Sequence, residues 1–350
     1  MALFQGIQIG MGFKKQSALQ TALVAADIWT LRSTNQDVPQ PVLNNESDKD
    51  DLGKGVYATQ VYKSHQDSSY PRNGLLTSEW GVMLTAFGLG ATVKTAAGTG
   101  GFKYTSVAPN LSLTDLEMPS TTMVVKIPDG SGSGYLTDSA LVGMCCEEFG
   151  FQLTSGVGRQ NAQFTSQWVG SGKYVKPSTI TIPAAYGEHS LNSGGITTLT
   201  MIGINYLTSN RFISFSFTWK NNIRLDSGYF PGSGSQSGYQ LRGRMRRGVP
   251  TITCSAVAEA VSGSAEEDAL LNQTEGTLVM LLSGAAVSGG GANHSLKITG
   301  HRVVAKAAPI GQNDNIVTYN MELEFLEHAT NGVLTTEAIC EKDNILAAAA

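Results

Sequence analysis

Charge is what this sequence has least of. Asp, Glu, Lys and Arg make up 15% of its 350 residues, against roughly 25% in an average globular chain. The balance is slightly acidic, with a formal charge of −4 and a pI near 5.8, which argues against a dedicated nucleic-acid binder and its strongly basic domain. No apolar run approaches the roughly 20 residues that a membrane helix needs. The nearest, "GTLVMLLSGAAVSGG", is interrupted by Gly and Ser. At the N-terminus the Lys14–Lys15 pair follows the apolar run, the reverse of a secretory signal. Cysteine is scarce too: Cys145, Cys146, Cys254 and Cys340 have no metal-ligand spacing and read as reduced, partly buried thiols of a cytosolic product.

Motifs for chemistry are also missing. A phosphate loop would need glycine at position 167 and Ser or Thr at 174, where Gln167 and Tyr174 stand around Gly172–Lys173. There is no Gly-x-Ser-x-Gly elbow. His65, His189, His294, His301 and His328 are scattered with no local metal motif, and His301, within a strand pattern, reads as structural. The acids Glu147–Glu148 and Glu266–Glu267–Asp268 are sequence neighbours, which point apart on a strand and solvate on a loop. Glu322 and Glu324 in "MELEFLE" share one strand face, opposite Met321, Leu323 and Phe325. They form either a solvated outer face or a wall that something negative must pass. No nucleophile, base and electrophile can be assembled, so the expectation is a non-enzyme with no cofactor and no metal.

What the chain has is glycine, 40 residues of it, with abundant Ser, Thr and Asn. This is the composition of many short strands joined by turns. The one strong helix signal is "LLTSEWGVMLTAFGLG". Thr77 or Ser78 caps it, Glu79 sits in the first turn, and Gly88 or Gly90 ends it. Trp80, Met83, Leu84 and Phe87 make one apolar face, which predicts a helix lying flat on a sheet. "NNESDKDDLGKG" reads as an exposed charged loop, and "VYATQVYKSHQDSSYPRNG" as a brief alternation ending in turn residues. From residue 100 strands dominate. "LVGMCCEEFGFQLTSG" and "NAQFTSQWVGSG" are expected to pair. "RFISFSFTWKNNIRL" alternates cleanly, with Ile213, Phe215, Phe217 and Trp219 on one side. "SLKITGHRVVAKAA" and "NIVTYNMELEFLEH" look like a closing pair.

Against this low charge, "GYQLRGRMRRGVPTITCS" stands out. On a strand, Arg242, Arg244 and Arg246 would form one row, with Leu241, Gly243, Met245 and Arg247 on the other side. Such a row can bind phosphate, meet acids of a neighbouring subunit, or simply solvate.

The ordered series of these segments, over roughly residues 50 to 335, resembles the tail tube (major tail) proteins of tailed bacteriophages. The patterns that carry it are the helix after the charged loop, the Asn-bearing strand "FISFSFTWKNNIRLDSGYF", the arginine segment with its acidic sequel, "EGTLVMLLSG", and the terminal pair. The resemblance implies a mainly β fold: an antiparallel β-sandwich or barrel with a flanking α-helix, its core duplicated or enlarged by insertions. A division near residue 165 would give an N-terminal half, 1–165, and a C-terminal β half, 166–350, or the two form one composite domain. It also implies a structural virion protein assembled in the host cytoplasm, without a membrane. Hexameric rings would stack into a tube that houses the tape measure protein and conducts DNA, meeting tail terminator and baseplate proteins at its ends. A baseplate hub or distal tail ring of the same fold is the alternative, as is a carbohydrate-binding module with Trp168, Trp219, Tyr229 and Tyr239 as an exposed platform. In a tube, an arginine-lined lumen would hold DNA rather than pass it. The arginine row is therefore expected to face away from the channel, toward Asp48, Asp50 and Asp51 or Glu266, Glu267 and Asp268 of an adjacent subunit or ring. Glu322 and Glu324 become candidates for the lumen.

Overall fold

The computed structural model describes residues 8–12, 18–22, 28–30, 40–47, 60–109, 116–128, 135–156, 162–176, 178, 180, 188–226, 228–229, 232, 234–261, 265–313 and 316–343. It is a mainly β protein in which alternating sequences do what their period dictates. The main sheet runs in the order Pro41–Ser47, Val61–Leu75, Ala162–Gly170, Tyr135–Thr154, Phe212–Lys220, Thr251–Glu259, Ile316–Phe325 and the end of Asn293–Ala307. These neighbours are all antiparallel. The expected pairings of 141–156 with 161–172 and of the two closing strands are both present. The boundary expected near residue 165 falls inside the strand Ala162–Gly170, which pairs on both sides.

A second sheet shares the strand Asn293–Ala307. Its order is Ala91–Ala97, Gly101–Val107, Leu334–Cys340, Asn293–Ala307, Glu275–Ala286 and Ile196–Met201. A smaller sheet grows from the first half of Tyr135–Thr154, which pairs there with Thr121–Pro128. The long strand changes sheet next to Gly143 (φ 74°), where a Cβ would lie 2.1 Å from the Leu19 carbonyl oxygen. Only glycine fits that bend.

The helix Ser78–Leu89 lies in the middle. Thr77 is the N-cap, its Oγ1 accepting from the Trp80 amide at 3.2 Å, and Gly90 (φ 95°) is the C-cap. The expectation of one apolar face on one sheet captures half of the arrangement. All twelve helical residues are buried. Toward the main sheet Trp80 stacks on Phe164 with centroids 4.2 Å apart, and Gly88 sits under the Phe149 ring. Toward the second sheet Gly81 meets Leu296. Glycine at 81 and 88 thins the helix on two sides, so that both sheets can close on it. The core is continuous through all three layers, from Phe151 and Phe217 through Trp80 and Phe87 to Leu296 and Ile298.

Two other expectations change. The turn-like "SSYPRNG" is not a turn but the second half of the strand Val61–Leu75. Beyond Ser68 that strand has a ladder partner on one side only, which tolerates Pro71 without an amide donor. The arginine segment is not a strand: Tyr239–Gln240 is a two-residue strand, and the next begins at Thr251. Its backbone groups bond one at a time to separate segments. Arg242 N donates to Ser171, Gly243 N to Gly228 and Arg247 N to Leu116, while the Met245 and Arg246 carbonyls accept from Met118 and Arg224. With no single partner strand there is no ladder, and the single arginine row does not form.

Candidate functional site

Each strand of the main sheet sends alternate residues to the core, and the cross-strand register lines them up. One inward row is Leu323, Cys254, Phe217, Phe151 and Phe164, all buried. Full burial of such a side chain contributes about 1.5–3 kcal/mol. The outward rows between them carry a different chemistry. Glu322, Ser255, Ser216, Gln152 and Gln163 stand side by side across five strands. The next row is Thr253, Thr218, Gly150, Thr165 and Asn73, and the one beyond it Thr251, Lys220, Glu148, Gln167 and Pro71. The result is a broad, hydrated, nearly uncharged surface, with Val257 as an aliphatic member. Glu322 and Glu324 are exposed on it, while Glu148 and Lys220 neutralise one another at 3.7 Å.

The outer face of the second sheet differs. One row reads Val93, Thr105, Glu337, Lys297, Leu281 and Thr198. Glu337 lies 3.1 Å from both Lys103 and Lys297. Burial alone would raise the Glu337 carboxyl, but the hydrogen bonds from the two lysines prevail and hold it below its ordinary range.

The four arginines separate into two pairs. Arg242 is buried, with Nη2 2.6 Å from the Asp67 carboxylate. Its Nε donates to the Leu225 carbonyl at 3.1 Å and its Nη1 to that of Gly170 at 3.0 Å. The guanidinium lies over the Tyr229 ring, whose hydroxyl donates to Asp67. Burial, then that hydrogen bond, push the Tyr229 phenol up. Arg247 is also buried and donates to the Gly88 and Leu89 carbonyls, at 2.8 and 3.1 Å. There it satisfies and neutralises the C-terminus of the central helix. Arg244 and Arg246 are exposed.

The acids expected opposite them divide in the same way. Glu266 opens the helix Ala265–Leu271, buried, with its carboxylate 2.5 Å from Arg211 Nη2. Glu267 is half-buried and Asp268 exposed, both in that helix's first turn. Asp48, Asp50 and Asp51 lie outside the described residues. Trp168, Trp219 and Tyr239 are buried and Tyr229 lies under Arg242, so the aromatic platform of a glycan-binding module is not formed by these four.

The family model described as "Phage tail tube protein" matches residues 67–325, about three quarters of the chain. The chain belongs to the phage tail tube protein family. A comparison with curated proteins finds no match. As a tail tube protein the chain is a structural component of the virion tail that associates with itself in a tube. Within the tail tube protein, a buried asparagine adds a tie that its local sequence does not reveal. Asn221 accepts from Trp219 Nε1 and donates to the carbonyls of Gly88 and Cys146, all at 2.9 Å, tying helix to sheet. The signal for it was present in the Asn-bearing strand, but the sequence does not say what the amide reaches.

Proposed function

We propose that copies of this tail tube protein close into rings of six, stack, and turn the outward Ser/Thr/Gln rows of the main sheet toward the lumen. Glu322 and Glu324 then face the channel. The observation that carries this reading is the composition of that face. It offers passing DNA few cations to bind its phosphates and little apolar surface to hold bases. Acid carboxylates repel phosphate over the Debye range of about 8–10 Å, whereas a basic lining would gain affinity with each counterion released. The same surface suits a tape measure protein that must be stored and then leave.

Closure into a ring accounts for the exposed apolar ends of the main sheet. Val42, Leu43, Val61 and Tyr62 are each at least 50% exposed on one hairpin, and Ile310 and Val317 are 60% and 51% exposed on the other. Strand edges of this kind are covered in an assembly or else aggregate. Arg244 and Arg246, with Glu267, Asp268, Asp48, Asp50 and Asp51, are the charges assigned to contacts between subunits or rings. Tail terminator and baseplate proteins would cap the ends of the stack, assembled in the host cytoplasm.

Helical reconstruction of purified assemblies by electron cryomicroscopy tests the proposal. Hollow tubes with Ser216, Thr218 and Glu322 on the channel wall are expected. Arg244 and Arg246 on that wall would overturn the assignment, and isolated single rings would favour a baseplate or distal-tail role.

A further inference from the structure

Histidines that are far apart in sequence meet at the start of the central helix. Glu79, His189 and His294 each offer one ligand atom, and these atoms lie within 4.8 Å of one another. Glu79 comes from the first helical turn, His189 from the segment that runs back along that turn, and His294 from the strand shared by the two sheets. His189 Nδ1 is 2.9 Å from Glu79 Oε1, and the two imidazole rings stack at 3.7 Å, 13° from parallel. Glu79 and His294 are buried, while the His189 side chain keeps 30% exposure and so gives solvent a path in.

His294 is the unusual member. Its Nδ1 is 2.9 Å from Ser78 Oγ, but its Nε2 is buried without a hydrogen-bond partner, 3.5 Å from Glu341 Oε1. Buried polar atoms in proteins are nearly always hydrogen-bonded, so such a nitrogen points to a missing partner. Burial first, then the neighbouring His189, hold the His294 imidazole below its ordinary pKa. In the tautomer in which Ser78 accepts from Nδ1–H, the Nε2 lone pair is free to take a metal, an arrangement typical of the outer contacts of metal-bound histidines.

We propose that Glu79, His189 and His294 bind a divalent cation of the zinc class, with Glu341 as the fourth donor. Two imidazoles and two carboxylates suit zinc and its first-row neighbours, whereas calcium and magnesium prefer oxygen alone. Tetrahedral ligands about 2.1 Å from zinc lie about 3.4 Å apart, so the widest pair among Glu79, His189 and His294, within 4.8 Å, closes by at most about 1.4 Å. His189 would bind as the tautomer protonated on Nε2, the metal replacing the proton now shared with Glu79. The bound ion would join the helix start, the 188–191 segment, the start of Asn293–Ala307 and the end of Leu334–Cys340, a staple between the helix and the second sheet.

The test uses the full chain, stripped with EDTA, dialysed against micromolar ZnCl2 and assayed for metal content and thermal unfolding. One zinc per chain is expected, with a Tm raised by zinc and not by magnesium. His189→Ala and the bulkier His189→Gln should each lose at least nine-tenths of the zinc and the Tm shift, and Glu341→Gln should weaken binding about tenfold. His189→Gln keeps side-chain bulk at the site, so zinc loss by a folded variant, verified by circular dichroism, reads the ligand itself. Failure of the wild type to retain zinc overturns the proposal, as does full retention by either His189 variant. Loss of zinc in His328→Ala instead would also overturn it, by assigning the metal to the His301–His328 pair, whose rings lie 6.1 Å apart.

Discussion

The main sheet turns Ser216, Thr218, Thr253 and Gln152 outward, whereas the second sheet turns out Lys103, Lys297 and Glu337 among Val93 and Leu281. Inside, the two are alike, each closing a layer of aromatic and aliphatic side chains on one buried helix. The difference therefore comes from neither strand propensity nor core packing, which both sheets satisfy. It reflects what each outer surface meets. In the proposed tube the face of small hydroxyls and amides lines the channel, while the ion-paired face of the second sheet lies outside it.

The sharpest way to break this comparison is to give the quiet face the other's chemistry. If the proposed lumen assignment holds, Thr218→Arg in the phage should reduce infectivity by about tenfold or more, because each ring of six would add six arginines to the channel wall. Thr105→Arg, on the second sheet, should leave infectivity within about twofold; equal losses would erase the distinction. Next in size is the inner side. At Gly88 an added Cβ would sit 2.3 Å from the Phe149 ring, at Gly81 only 3.4 Å from Leu296. Gly88→Ala should destabilise by about 1–3 kcal/mol through overpacking. Gly81→Ala should stabilise by about 0.5–1 kcal/mol through helix propensity. Urea unfolding separates the two signs.

A smaller effect belongs to Glu337. Its pKa lies below the ordinary 4.5 in the folded protein, so its contribution is present above that value and lost as pH falls below it. Glu337→Gln should therefore cost at most about 1 kcal/mol at pH 7, and the difference from wild type should vanish in acid. Glu322→Gln, at an exposed position on the quiet face, should change stability by less than about 0.5 kcal/mol.

Much of this was legible in the sequence because it is local. The helix with its caps narrowed to Thr77 or Ser78 and Gly88 or Gly90, the alternation from Phe212 to Lys220 and the shared face of Glu322 and Glu324 follow from spacing alone. What the sequence hides are the distant partners. Arg242 and Arg244 look equivalent in "LRGRMRR", yet one is drawn in by Asp67 and the other is exposed. The second covered side of the helix depends on strands more than 200 residues downstream. His189 and His294 meet across about a hundred residues, which no local motif records.

The native thiols provide a direct test of which face the assembly encloses. All four cysteines are buried, and burial pushes Cys340, for example, up to about 12, so an introduced thiol is the reactive one. Thr218→Cys and Thr105→Cys would be treated with a polyethylene-glycol maleimide too large to enter the channel, as dissociated subunits and as tubes. Both should react in subunits, and only the Thr218→Cys thiol should become protected on assembly. A Thr218→Cys thiol that stays fully reactive in intact tubes would contradict the lumen assignment.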